Sequence, residues 1–182
     1  NWTLYPARNA AKIITISESS KNDIMRYYYL EANKIDVIYP GVKEKNMALL
    51  QNSTTVLDKY GIKGDFVLFV GTLQPRKNIE RLIEAFSTVL NEKKDLTLVI
   101  VGKKGWLFED ILKAPEKFGI EKKVLFLDFV TDEDLPHLYK KAECFVLPSL
   151  YEGFGLPVLE AMQYECPVLT SNISSLPEAG GN

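Results

Sequence analysis

The chain has 182 residues, 46% hydrophobic and 11% aromatic, enough to bury a core and too apolar for a disordered segment. A formal net charge of −2 supplies no bulk attraction to nucleic acid, and no apolar run is as long as a membrane span. The two cysteines, Cys144 and Cys166, lack metal-ligand spacing and sit in apolar, strand-like runs, as buried free thiols of a reducing compartment do.

Lys12 to Ile16 is a short β-branched run. Ser17 is placed to cap a helix over Glu18 to Glu31, in which Tyr27, Tyr28 and Tyr29 read as a packed face. Lys34 to Tyr39 is a second strand, ended by Pro40-Gly41, and completes a β-α-β unit that cannot bury both faces alone. Lys43 to Gly64 is polar, broken by Gly and suited to a linker, with a short helix from Thr54 to Tyr60. Phe66 to Val70 is continuously apolar, as a parallel strand covered on both faces must be. The loop Gly71-Thr72-Leu73-Gln74-Pro75-Arg76-Lys77-Asn78 follows. Asn78 is the expected N-cap of a helix with Ile79, Leu82, Ile83, Phe86, Val89 and Leu90 on one stripe.

Leu96 to Val101 is the next buried strand, then a solvated loop with Lys103 and Lys104, then a helix from Trp106, read as core, to about Phe118. Val124 to Leu127 is a strand. Thr131 or Asp132 caps the following helix through Ala142, with Pro136 tolerable only in its first turn. His137 has no carboxylate or serine at meaningful spacing and reads as a surface or packing residue. Cys144 to Leu147 is a strand, Leu156 to Tyr164 a helix, Pro167 to Thr170 a last strand, and Ser174 to Glu178 opens a further turn and helix. Alternating strands and helices from Phe66 onward predict an α/β, doubly wound, Rossmann-like parallel sheet.

The stretch from Pro148 to Glu160 is the chemical centre. A strand, a turn with Gly153 and Gly155, and a helix N-terminus with Pro157 in its first turn together make an anion site, because amides point outward and the helix dipole favours negative charge. Glu152 and Glu160 flank it. Carboxylates do not bind phosphate, so sugar hydroxyls attached to the phosphate are their acceptable partners. Arg76 and Lys77 sit at another strand's carboxyl end, where open α/β sheets bind ligands. Arg suits phosphate as a fork and Lys as a point charge.

Glu152 and Glu160, with Gly-Phe-Gly-Leu-Pro-Val-Leu inside the spacing, resemble the E-x7-E signature of retaining glycosyltransferases of the GT-B fold, family 4. Gly-Thr-Leu-Gln-Pro-Arg-Lys-Asn resembles the same family's loop, in the version common among bacterial mannosyltransferases for surface polysaccharides. Thr72 is a departure: many members carry Arg directly after the strand-end Gly, so which cation does which job stays open.

The resemblance implies that residues 1–42 are the end of an N-terminal acceptor domain and the crossing between domains, that 43–64 are a linker, and that 65–182 are a truncated C-terminal nucleotide-sugar domain. It matches only about the C-terminal half of a typical member, so a longer enzyme is expected. The implied activity is hexosyl transfer, with retention, from a nucleotide diphosphate sugar to a glycan or lipid-linked acceptor. GDP-mannose is the first choice of donor, with UDP-glucose or a UDP-N-acetylhexosamine next. Glu152 would hold the donor sugar at the reacting carbon and Glu160 the ribose. Arg76, Lys77, Gly71 and the Phe154-Gly155-Leu156 turn would hold the diphosphate side, and Phe129 and Val130 the base. A same-face attack through a short-lived ion pair needs no protein nucleophile. No metal and no cofactor is implied. The implied location is cytoplasmic, with peripheral contact at the inner membrane face through the missing part. Two other readings stay open: a nucleotide-sugar-binding module without transfer activity, and another enzyme class on the same sheet. A nicotinamide-dependent oxidoreductase is disfavoured because no strand leads into G-x-G-x-x-G.

Overall fold

Five short apolar runs line up as parallel strands: β3 (Phe66–Val70), β4 (Thr97–Val101), β5 (Val124–Leu127), β6 (Cys144–Leu147) and β7 (Val168–Thr170). They are seen in a computed structural model that describes residues 3–42, 50 and 53–181. Residues 43–49, 51 and 52, part of the expected linker, lie outside the described residues, as does Asn182 at the end of the expected donor domain. The strand order is β5-β4-β3-β6-β7. Chain progression therefore runs one way from β3 to β5, then returns to the other side of β3. Val67 is in register with Leu98 on one side and with Cys144 on the other. In an open sheet the crevice at such a reversal is where ligands bind.

Helix α4 (Ile79–Val89) packs against α5 (Glu109–Lys117), and α6 (Leu135–Lys141) packs against both α3 (Ser53–Lys59) and α7 (Leu156–Gln163). Right-handed crossovers put the first pair on one face and α6 and α7 on the other, so the sheet is doubly wound. Burial on both faces explains the unbroken apolar runs. Leu68, Phe69, Leu98, Val99, Ile100, Phe145 and Leu147 are all fully buried. A last short helix, α8 (Leu176–Gly180), packs on α7 and β7.

Before this sheet lie helix α1 (Leu4–Asn9) and a separate parallel pair, β1 (Ile13–Thr15) with β2 (Ile35–Val37), joined by α2 (Glu18–Tyr28). This is the expected β-α-β unit. Ser17 caps α2 by accepting from the Ser20 N–H at 3.0 Å. The helix stops at Tyr28 rather than Glu31, because Tyr29 takes a left-handed conformation (φ 54°) that closes the last turn.

Several local expectations fail for identifiable reasons. Tyr27 and Tyr29 are exposed, not a packed face. Trp106 is 58% exposed: Leu107 has positive φ, which delays α5 to Glu109 and turns the indole outward to donate to Gln74 Oε1 at 2.8 Å. Val89 closes α4 on its exposed side. His137 is buried, in keeping with a packing residue, but it does meet a serine: its Nδ1 lies 3.0 Å from the Oγ of Ser53, 84 residues away. Thr131 does accept from the Asp134 N–H at 3.2 Å, but a turn intervenes before α6 begins at Leu135, with Pro136 in its first turn. Cys144 is half-buried, Cys166 is buried, and both are free thiols.

Candidate functional site at the strand-order reversal

The loops after β3 and β6 leave neighbouring strands and are stitched together. After β3, Pro75–Lys77 forms one 3-10 turn, closed by the Lys77 N–H to Gln74 O at 2.9 Å. Asn78 sits at the N-cap position of α4 with left-handed φ of 58° and makes no side-chain cap. The expected capping role is thus corrected: Asn78 Nδ2 instead donates to Pro148 O at 3.1 Å. The Leu150 N–H donates to Arg76 O at 2.8 Å. These two bonds bring the turn of Glu152 against the cations.

Lys77 Nζ donates to Glu152 Oε1 at 2.6 Å, and Arg76 Nη1 to Glu152 Oε2 at 2.8 Å and to the Tyr151 carbonyl. Lys77 is only 8% exposed and Glu152 7%, while Arg76 reaches further into solvent. Burial alone would raise the Glu152 carboxyl. Hydrogen bonds from Lys77 and Arg76, the Lys77 charge and the nearby Ser149 hydroxyl outweigh it and hold the carboxyl below its ordinary range. That Ser149 hydroxyl is fully buried and makes no hydrogen bond of regular geometry. Gly71 stands against the same ammonium, since a Cβ there would lie 3.5 Å from Lys77 Nζ.

The backbone of the turn is held from two sides. The Glu152 N–H donates to Ser174 Oγ at 3.0 Å, and the Glu152 carbonyl accepts from Ser174 and Ser175 hydroxyls at 2.6 and 2.9 Å. The Gly153 carbonyl accepts from Ser17 Oγ at 2.8 Å and from Ser20 Oγ at 3.4 Å. The Glu178 carboxylate accepts from the Glu18 and Ser19 N–H groups at 2.7 and 2.9 Å, and Tyr39 packs on Phe154 with ring centroids 5.5 Å apart. Tyr151 donates to Asp23 at 2.6 Å, which pushes its phenol up to about 12. The first β-α-β unit is thereby docked on the turn.

Gly155 carries φ 103° and ψ 44° at the start of α7, and a Cβ there would meet Leu176 Cδ2 at 2.8 Å. Only glycine suits both conditions. Among the described residues, the N–H groups of Gly153, Phe154, Gly155 and Leu156 have no protein acceptor. Four unpaired amides at the start of α7, with two cations gathered on the Glu152 that precedes them, are suited to a phosphate-sized anion, provided the carboxylate yields a cation.

Glu160 lies one turn further along α7, where its Oε2 accepts from the Tyr139 hydroxyl at 3.0 Å. Phe129 and Val130 follow β5. Phe129 is 63% exposed with Lys103 Nζ 5.9 Å from its ring centre, and Val130 is buried. Arg76, Lys77, Gly71 and Glu152 are therefore drawn into one cluster, with Phe154, Gly155 and Leu156 beside it. No hydrogen bond or ring contact among the described residues joins Phe129 or Val130 to that cluster. Sequence reading gave Ser17 only its capping role, and missed its bond to Gly153 and the parts played by Tyr139, Ser149, Ser174 and Ser175. The one available signal was the polar atom each carries within an otherwise apolar or tightly turned stretch.

The sequence profile of the family described as "Glycosyl transferases group 1" matches residues 53–182. O-antigen chain mannosyltransferase B of Escherichia coli is 35% identical over 184 residues, covering 99% of this chain and 48% of that protein. A serotype-specific mannosyltransferase WbdA of Escherichia coli is 36% identical over 179 residues, covering 94% of this chain and 22% of that protein. Among solved structures, WaaG, a glycosyltransferase involved in lipopolysaccharide biosynthesis, aligns with a TM-score of 0.79 at 24% identity, over 92% of this chain and 46% of that one. Anabaena HepE, in complex with UDP and glucose, aligns with a TM-score of 0.80 at 23% identity, over 95% and 47%. The chain thus spans about half the length, or less, of the relatives it matches.

Proposed function

Because the chain belongs to the group 1 glycosyltransferase family, we propose that it is the donor-binding part of a retaining hexosyltransferase that uses a nucleotide diphosphate sugar. The observation that carries this reading is the Glu152 carboxylate held between Lys77 and Arg76 beside four unpaired amides, at the reversal of strand order. The similarity to two mannosyltransferases supports mannose as the sugar and GDP-mannose as the donor, with surface polysaccharide as the product. A UDP-sugar is the second choice, in view of the UDP held by HepE. Residues 65–182 would form the donor domain. Residues 1–42 would close the acceptor domain, whose remainder selects the glycan or lipid-linked acceptor at the inner face of the membrane.

On this reading the diphosphate competes with Glu152 for Arg76 and Lys77. As the bond from sugar to phosphate breaks, negative charge grows on the leaving oxygen. Fixed cations and amides stabilise it without reorganising, and losing one such contact raises the barrier by about 3 kcal/mol. Glu152, released from its cations, turns to the hydroxyls of the sugar, beside the carbon that becomes positive. Glu160 accepts from the ribose, and the exposed Phe129 ring and Val130 border the base. The acceptor hydroxyl attacks that carbon on the face from which the diphosphate departs and gives its proton to the leaving phosphate oxygen, so configuration is retained.

The test has two arms. Calorimetry of this chain against GDP, UDP, ADP and their sugars should give binding by GDP and GDP-mannose above the others. Transfer from GDP-mannose by the full-length enzyme should vanish in Glu152→Ala. Failure of every nucleoside diphosphate to bind would overturn the reading. Binding by this chain without transfer by the full-length protein would leave a nucleotide-sugar-binding module.

A further inference from the structure

We propose that Tyr139 is a positioning residue for Glu160: its buried hydroxyl fixes the carboxylate that meets the donor ribose. The inference rests on the ribose role given to Glu160 above. Tyr139 is 1% exposed and among the largest fully buried side chains described. Its ring meets Phe145 of β6 edge-on, with centroids 5.6 Å apart and planes at 72°, and stacks on Tyr164 just past α7 at 6.2 Å and 5°. Two neighbouring elements thus hold the ring without help from its oxygen. Phenylalanine would fill the same space, so packing alone gives no reason for the hydroxyl.

A buried phenol needs an acceptor, and this one has a carboxylate 3.0 Å away. A hydrogen bond to an ionised acceptor is stronger than one between neutral groups. Among the described residues Glu160 has no other hydrogen-bond partner, which leaves Oε1 to a ligand. Anchoring one oxygen of a long, rotatable side chain removes freedom that a ligand would otherwise have to remove on binding. Burial and the neighbouring Glu160 charge keep the phenol protonated well above its ordinary range, so it remains a donor at any working pH.

The experiment measures calorimetric affinity for GDP and UDP, each beside its 2′,3′-dideoxy form. The proteins are the wild-type chain, Tyr139→Phe, Glu160→Ala, the double variant and Tyr164→Phe. For whichever nucleotide binds, the wild type should prefer the ribose form. Tyr139→Phe should lose about fivefold in affinity for the ribose form only, and should add no loss to Glu160→Ala, which removes the acceptor. Tyr164→Phe, which shares the aromatic stack, should behave as wild type. Equal weakening of both forms by Tyr139→Phe, or unchanged discrimination, would overturn the positioning role. A wild type indifferent to the ribose hydroxyls would instead remove the ribose role of Glu160, and this inference with it.

Discussion

Lys77 and Glu152 stand 75 residues apart in the chain and 2.6 Å apart in space, each side chain about nine-tenths withdrawn from water. A buried pair of this kind tolerates loss of both partners better than loss of one, because the survivor remains as an uncompensated charge at a cost of about 3–5 kcal/mol. Arg76, nearer the surface, shares the Glu152 carboxylate and is the cation more easily surrendered to a ligand.

The pair makes stability depend on pH in a definite direction. The Glu152 carboxyl is depressed in the folded chain, so its contribution is complete above the unfolded value of about 4.3 and is lost as pH falls through the folded one. Urea midpoints of wild type and Glu152→Gln should differ widely at neutral pH and converge as pH falls below about 4. A gap that stays constant from neutral to acid would show that the carboxylate charge contributes nothing.

Arg76→Ala and Lys77→Ala should each weaken nucleoside diphosphate binding by about tenfold while changing affinity for the nucleoside much less. Calorimetry with GDP beside guanosine, and UDP beside uridine, checks this. Equal losses for nucleotide and nucleoside would remove the diphosphate role from the residue concerned.

Gly155→Ala should lower unfolding free energy by about 2 kcal/mol, through positive φ and the 2.8 Å approach of its Cβ to Leu176 Cδ2. Because Leu176 begins α8, the strain displaces the turn, and nucleotide affinity should fall with stability. Urea unfolding and calorimetry on one preparation test both effects. A stable variant with full affinity would show that the backbone there is not constrained.

Ser17→Ala should destabilise the chain by about 1–2 kcal/mol, since the hydroxyl caps α2 and also donates to the Gly153 carbonyl. Ser17→Thr, which keeps the oxygen, should recover most of that loss in thermal unfolding. Equivalent behaviour of the Ala and Thr variants would mean that the hydroxyl does neither job.

The parallel sheet was legible because burial on both faces writes an unbroken apolar run, and Phe66–Val70 and Val124–Leu127 match their expected bounds to the residue. The turn from Pro148 to Leu156 was legible for another reason: Gly155 and Pro157 are backbone requirements that few other residues meet. What escaped were side-chain meetings across long separations. Ser53 with His137, Tyr139 with Glu160, and Ser17 with Gly153 follow from the packing of whole elements and leave no local periodicity. Asn78 illustrates the opposite error, a residue with the right identity for a cap whose left-handed backbone sends its amide elsewhere.

A trans peptide carries its C=O and N–H on opposite edges of one rigid plate. With the Gly153 oxygen gripped by Ser17 and Ser20 at the start of α2, the Phe154 N–H is aimed the other way. Any swing of α2 away from this loop unpins the plate and lets that amide rotate. Relative movement of the first β-α-β unit is thus geared to the orientation of a donor that lies within two residues of Glu152.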